Sequence, residues 1–427
     1  MQPPGPNSAL AAWLDYQTRT HPKSIELGLE RVGSVYQRLG APRPGKKVIV
    51  VAGTNGKGST VAFIESIALQ HGVSVGCYTS PHLLRYEERL RVGGALLDAA
   101  DWVAAFEVVS AARGDTPLTY FEWGTLAALW LLQRIAPDLA VLEVGLGGRL
   151  DAVNVVDADV AVITAVDLDH TALLGPDRES IGREKAGVLR ARGKAVLAEP
   201  EPPASVVDAA QSLGCSVRAL GLHYHMLRRP DGSWQWSDRH HTFELPTPGL
   251  ASPCQWMNLA GAVQAFACLF PVDPAKLSTA VRAVRLPGRM QCIERTQTWM
   301  LDVAHNPHAI APLRSWIEEH GGGRTLHAVF AALADKDVAG MLRPLIDHVA
   351  HWHLAGLVAD GVRGRSAEEL MQESGDLLQG RPVSLHRDVA AAVSSVHAAA
   401  GTGDLVLVFG SFYTVAAALQ TLEGTAD

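Results

Sequence analysis

Between Val48 and Val61 an apolar run gives way to Gly53-Thr54-Asn55-Gly56-Lys57-Gly58-Ser59-Thr60, and then to a helical pattern. The order strand, glycine-rich loop, helix builds a phosphate cradle. Backbone N–H groups of the loop point inward, the helix N-terminus favours an anion, and Lys57 adds a point charge. Glycine is required where backbone must approach phosphate closely or take positive φ. The strict P-loop pattern puts Ser or Thr directly after the Lys, whereas here Gly58 intervenes. That departure points away from ordinary P-loop kinases and GTPases. A glycine-rich turn with no phosphate is the plain alternative, and the strand and helix on either side argue against it. ATP is the expected ligand.

Other polar residues fall just beyond apolar runs, where open α/β sheets bind their ligands. Ser80 follows Val75–Tyr78, Glu143 lies within Leu139–Val144, and Asp169-His170 follow Val160–Val166; Lys185 comes one short helix later. Magnesium prefers oxygen and bridges ATP phosphates, so Ser59, Ser80 and Glu143 suit it. His170 is a less usual magnesium ligand, and its chemistry alone suggests zinc or general-base work. Each has a bland alternative: a carboxylate ending a strand can cap the next helix, and a lone His is commonly structural. Their convergence on one sheet edge is the argument for function.

Three further segments carry alternatives. Gly145, Gly147 and Gly148 follow Glu143, and so many glycines imply a close approach of backbone to a ligand; Arg149 and Asp151 beyond them either pair with each other or touch substrate. Ser80–Arg89 is a charged, Pro-led run, read either as a solvated helix face or as a loop over the site. Asp302, at the head of Asp302–His308, either binds a ribose hydroxyl or caps the following helix.

The elements that must hold these residues follow from composition and periodicity. At 427 residues, 48% hydrophobic and 19% charged, the chain exceeds the size of a single core, so two domains are expected. A net charge of −7 argues against a nucleic-acid surface. Five cysteines (Cys77, Cys215, Cys254, Cys268, Cys292) form no Cys-x-x-Cys pair, so neither a zinc knot nor a disulfide framework is expected. With no signal peptide and no apolar run of membrane-spanning length, a cytoplasmic protein with neither membrane nor nucleic-acid partners is the simplest reading.

Short apolar runs alternate with amphipathic stretches, the pattern of an α/β fold: a parallel sheet covered by helices on both faces. Strands are expected at Val48–Ala52, Val75–Tyr78, Leu139–Val144, Val160–Val166 and Lys194–Ala198, with an N-terminal helix carrying Ile25, Leu29, Val32, Tyr36 and Leu39. Residues 223–248, rich in Trp, His and turn residues, read as a β-hairpin insertion. The pattern restarts near Leu286–Arg289, with strands expected at Trp299–Val303, Leu326–Ala331, His351–Leu357 and Leu405–Gly410. Domains of 1–288 and 289–427 follow, the second smaller and Rossmann-like.

Together these segments resemble the Mur ligase superfamily and, within it, the bacterial bifunctional folate ligases, in line with a phosphate loop that points towards ATP-dependent amide ligation. The resemblance runs through Lys23–Arg31, the phosphate loop, Ser80–Arg89, Thr119–Glu122, Glu143–Asn154, Asp169-His170, Arg183–Gly187, Leu286–Arg289, Asp302–Pro307 and Gly410–Phe412. Ser80–Leu83 combined with Glu143–Asn154 is the specific part.

The resemblance implies roles. Thr54, Asn55, Gly56, Lys57, Gly58 and Ser59 would hold the ATP phosphates, and Lys57, Glu143, His170 and Lys185 would form the catalytic group. Ser59, Ser80, Glu143 and His170 would ligate two Mg2+ ions, supported by a carbamylated Lys185. Asn258 and Arg289 would contact the nucleotide from the linker region, and Asp302 its ribose. The pterin would lie against Glu26, Leu27, Gly28 and Leu29, against Thr119, Tyr120, Phe121 and Glu122, and against Leu150, Asp151 and Ala152. The implied reaction adds L-glutamate to dihydropteroate and to tetrahydrofolates through an acyl phosphate, in a monomer. A peptidoglycan ligase and an NTPase without ligase chemistry are the alternatives.

Overall fold

The computed structural model describes residues 2–5, 8–21, 23, 25–249, 255–357 and 363–424; Ser24 and Cys254, within the segments named above, lie outside them. Two compact units result, one of Met1–Gly249 with Gln255–Val284, the other of Arg285–Asp427.

The first unit is built on eight strands: β1 (Lys47–Ala52), β2 (Val75–Tyr78), β3 (Leu90–Val92), β4 (Ala95–Leu96), β5 (Leu139–Glu143), β6 (Val160–Ile163), β7 (Lys194–Leu197) and β8 (Ser216–Ala219). Their order is β4-β3-β2-β5-β1-β6-β7-β8. All neighbours pair in parallel except the edge hairpin of β3 and β4, which is antiparallel to β2. Central strands read as continuous apolar runs because helices bury both of their faces, and every residue of β5 is buried. Val51 stands opposite Glu143 in register, and Ala52 opposite Ile163. The chain therefore leaves β1, β5 and β6 at one edge, which is where the polar residues gather.

The helix Lys57–Gln70 is buried along most of its length and packs against the helix Gln255–Ala267. On the other face, Trp13, Phe106 and Trp123 form an aromatic core, with ring centroids 6.1–6.3 Å apart.

Three local expectations change. The helix expected to carry Ile25 to Leu39 spans only Glu30–Arg38, and a separate helix, Leu10–Arg19, precedes it; residues 25–28 are not helical, and Gly28 N–H donates to the Leu150 carbonyl (3.2 Å), tying them to another segment. Strand β6 stops at Ile163 because the next residue turns to the phosphate loop, Thr164 Oγ1 donating to the Asn55 carbonyl at 2.7 Å. The β insertion has three antiparallel strands, β9 (Tyr224–Arg228), β10 (Trp234–Asp238) and β11 (Thr242–Leu245), not one hairpin.

The second unit is a six-stranded sheet of β12 (Gln291–Glu294), β13 (Thr298–Asp302), β14 (Leu326–Phe330), β15 (His351–Ala355), β16 (Val383–His386) and β17 (Leu405–Phe409). The order is β12-β13-β17-β14-β15-β16, parallel apart from β12. Met300, Phe330, Trp352, Leu354, Leu407 and Phe409 fill its core. Among the described residues no helix is long and apolar enough to cross a membrane, and Cys77, Cys215, Cys268 and Cys292 are free thiols.

Candidate active site

The phosphate loop leaves β1 and is clamped by the segment after β6. Thr54 N–H donates to the Ala165 carbonyl (2.7 Å), and Thr54 Oγ1 donates to the Asp167 carbonyl (2.9 Å). Two glycines are obligatory. A Cβ on Gly53 would lie 1.8 Å from Thr164 Oγ1, and one on Gly56 (φ +86°) only 2.2 Å from Asn258 Oδ1. Asn258 therefore stands directly over the loop. It belongs to the helix Gln255–Ala267 inside the first unit rather than to a linker, and its Nδ2 donates to Gln255 Oε1 at 3.0 Å. Lys57 folds back over the loop, its ammonium donating to the Gly53 and Thr54 carbonyls at 3.1 Å each.

Ser59 is buried in the first turn of the following helix. The space between loop and β5 is narrow: a Cβ on Gly58 would lie 3.7 Å from Glu143 Oε2. The same oxygen accepts from Ser80 N–H at 3.1 Å. The loop, Ser80 and buried Glu143 thus meet at one point.

His170 sits at φ +49°, a backbone conformation uncommon outside glycine and one that recurs at functional sites. Its N–H donates to Asp169 Oδ1 at 2.9 Å. Lys185 is almost wholly buried on the helix Arg178–Ala186, and desolvation, reinforced by the Lys57 charge, brings its ammonium down to about 7 despite Asp169 and Asp151. A buried lysine that is substantially neutral is a nucleophilic amine.

The glycines after Glu143 are required by packing, and Gly145 also lines a cavity. A Cβ on Gly145 would enter the Phe121 ring at 2.6 Å, and one on Gly148 would meet the Glu184 carbonyl at 2.8 Å. Arg149 and Asp151 do not pair with each other. Arg149 binds Glu184 Oε1 at 2.8 Å, while Asp151 accepts from Leu146 N–H and Val153 N–H at 2.9 Å each. Burial raises the Asp151 carboxyl to about 6 in spite of those bonds.

Asp151 lines a cavity of about 250 Å³ that reaches Ser80. Of the eleven residues expected against a pterin, ten line it, the exception being Leu29, which precedes the first turn of the helix Glu30–Arg38. Glu122 is also committed to structure: it accepts from Thr119 N–H (2.8 Å) as a helix cap and from Arg31 (3.0 Å). Ser80–Arg89 is not a solvated helix face: Ser80, Pro81 and Arg89 of this segment line the cavity. Glu88 accepts the N–H groups of Leu83, Leu84 and Arg85, and a 3-10 turn over Tyr86–Arg89 follows.

Sequence reasoning missed Arg89, which is buried in the cavity wall. Its guanidinium lies 5.1 Å from the Tyr86 ring centroid and 5.4 Å from that of Tyr120, donates to His82 Nδ1 at 2.9 Å, and has no carboxylate partner among the described residues. A buried cation held by aromatic rings is a receptor for an anion or a carbonyl. Only its place in a charged run could have hinted at this.

In the second unit Asp302 ends β13 and is buried, accepting from Met290 N–H (2.9 Å) and Ala304 N–H (2.8 Å). It is not a helix cap; Asn306 caps Pro307–His320. The Arg289 guanidinium lies 5.4 Å from the Phe412 ring centroid and pulls the Asp302 carboxyl downward against a larger upward push from burial.

Residues 288–412 match the family model for the Mur ligase glutamate ligase domain. The chain is 44% identical over 418 residues to an Escherichia coli dihydrofolate synthase/folylpolyglutamate synthase, covering 97% of this chain and 96% of that one. Its fold is similar to that of E. coli FolC in complex with DHPP and ADP (TM-score 0.92, 43% identity, 99% of each chain). A bifunctional folylpolyglutamate synthase/dihydrofolate synthase with Mn, AMPPNP and L-glutamate bound gives a TM-score of 0.89 at 41% identity, covering 99% of this chain and all of that one. The chain belongs to the dihydrofolate synthase/folylpolyglutamate synthase family of ATP-dependent Mur ligases.

Proposed function

We propose that this enzyme joins L-glutamate to 7,8-dihydropteroate, and further glutamates to tetrahydrofolates, at the expense of ATP. The observation that carries this reading is the junction of phosphate loop, Ser80–Glu143 contact and a cavity ending at Asp151. A carboxylate is a poor acyl donor, and phosphorylation supplies a leaving group. The substrate carboxylate oxygen attacks the γ-phosphorus and ADP leaves. The glutamate amine then attacks the acyl carbon, losing a proton, and phosphate departs.

The chain's residues position these groups and balance their charge. Residues 54–59 would cradle the phosphates, with Lys57 swinging from the loop carbonyls to a phosphate oxygen. Asn258 and Arg289 would meet the nucleotide and Asp302 its ribose. Asp151 and the rings of Tyr120 and Phe121 would hold the pterin, while Arg89 faces its polar edge or its carboxylate.

The buried oxygen donors Ser59 and Glu143, with Ser80 alongside, fit a hard divalent cation. Two magnesium ions held there, with His170, would neutralise charge on the transferring phosphoryl group. Lys185 would complete that site as a carbamate: its neutral amine adds to the carbon of CO2 and a proton leaves. The reading is of a monomer acting in the cytoplasm, where ATP and glutamate are replenished.

The test is phosphate release with ATP and magnesium, with pterin substrate and glutamate each present or omitted, alongside mass detection of products. Glutamate-dependent turnover on both dihydropteroate and tetrahydrofolate is expected. Phosphate release indifferent to both would leave an NTPase and overturn the ligase reading.

A further inference from the structure

Strands β14 and β15 carry three histidines that the ligase reaction does not use. His351 and His353 are two residues apart, the period that returns a strand to the same face, and His327 stands opposite His351 in the parallel register. One nitrogen from each lies within 4.8 Å of the others, and His327 Nδ1 is 3.3 Å from His353 Nε2. Zn–N bonds of about 2.0–2.1 Å at a tetrahedral angle place two ligand nitrogens about 3.3 Å apart. The rings of His351 and His353 stack at 4.4 Å and 13°.

Two of the three are also held from outside by hydrogen bonds, and His327 faces a carboxylate. His327 Nε2 faces Asp404 Oδ2 at 3.6 Å, His353 Nδ1 faces His386 Nε2 at 3.1 Å, and His351 Nε2 is 2.9 Å from Ser384 Oγ. Imidazoles that bind metals are oriented in this way, through the ring nitrogen that does not ligate. His327 and His351 lie at the N-terminal ends of their strands, the opposite edge from the C-terminal end of β13 that Asp302 occupies.

We propose that His327, His351 and His353 form a site for one divalent transition-metal ion of the zinc class, with Asp404 and His386 orienting the ligands. Imidazole suits Zn2+, Ni2+ and Cu2+, whereas Mg2+ takes oxygen, so the ion required with ATP does not compete. Three nitrogens leave a position for water, and the ion ties β14 to β15.

The test uses the full chain without a histidine tag, stripped with EDTA and equilibrated with Zn2+ in excess Mg2+ before gel filtration and metal analysis. One zinc retained per chain is expected, together with a raised thermal midpoint and, with Co2+ substituted, the visible bands of a four-coordinate nitrogen site. The double variant His351→Gln/His353→Gln should lose the ion, and Asp404→Asn, which keeps all three ligands, should weaken it about 10–100-fold. Wild-type protein that retains no zinc overturns the proposal without any variant. Zinc retained equally by the double variant places the ion elsewhere and overturns it too. Should the double variant fail to fold, the wild-type stoichiometry and Asp404→Asn decide.

Discussion

The N–H of Ser80, just after β2, donates to Glu143 Oε2 at the end of β5, 3.1 Å away. The contact places a buried carboxylate under the phosphate loop, beside Gly58. Glu143→Gln keeps the shape, and the Ser80 bond through its carbonyl, but removes the charge. We expect kcat/KM for glutamate ligation to fall about 10²–10³-fold, the cost of one lost electrostatic stabiliser. The melting temperature should move by less than about 4 °C, a change of about 1 kcal/mol. Near-normal turnover would remove Glu143 from the site.

Gly56 is constrained twice, by φ +86° and by Asn258 Oδ1 at 2.2 Å from a Cβ. Gly56→Ala should therefore cost about 1–2 kcal/mol for the left-handed backbone alone and weaken ATP binding as the loop shifts. Adding Asn258→Ala removes the clash and not the φ strain, so it should restore only part of the stability. Full restoration in a denaturant titration would mean that the clash was the whole effect.

The phosphate loop and the strands around it were legible because each is local. Parallel strands buried on both faces read as continuous runs such as Lys47–Ala52, and glycines at loop positions announce positive φ. Assembly by distant partners was not legible. The segment at 25–28 has helical spacing but leaves the helix to reach Leu150, and Gly145 and Gly148 answer to Phe121 and to the helix bearing Lys185. Arg89 looks like surface charge until Tyr86 and Tyr120 close around it. The histidines of β14 and β15 become neighbours only through strand pairing.

Arg89 has aromatic neighbours and no carboxylate partner among the described residues, so its charge is available to substrate. Arg89→Met keeps the apolar stem and removes the charge. A charge-assisted hydrogen bond is worth about 1.5–3 kcal/mol, so the KM for dihydropteroate should rise about 10–100-fold. The KM for ATP, whose phosphate loop is elsewhere, should hold. An equal rise in both would point to a collapsed cavity instead.

Lys185, held near 7 by burial and Lys57, is expected to need CO2. Enzyme incubated at mildly acidic pH under degassed conditions should lose activity as the carbamate reverts. Bicarbonate at pH 8 should restore it, and Lys185→Gln should be inactive under both conditions. Activity unchanged by CO2 removal would leave Lys185 as an ordinary buried amine.

Asp151 gives a pH signature of opposite sign to an ordinary ion-paired carboxylate. Its folded pKa of about 6 exceeds the ordinary aspartate value of 3.8, so between those values the folded state binds more protons than the unfolded one. Stability must then fall as pH rises from about 4 to 6 and level off above, by about 3 kcal/mol at most for a shift of about two units. Asp151→Asn cannot titrate. It should be less stable throughout, because an amide N–H2 would face either Leu146 N–H or Val153 N–H. The difference between wild type and variant should nevertheless shrink as pH rises through that window. Parallel stability curves for the two proteins would show that the Asp151 carboxylate is no harder to ionise in the fold than in the unfolded chain.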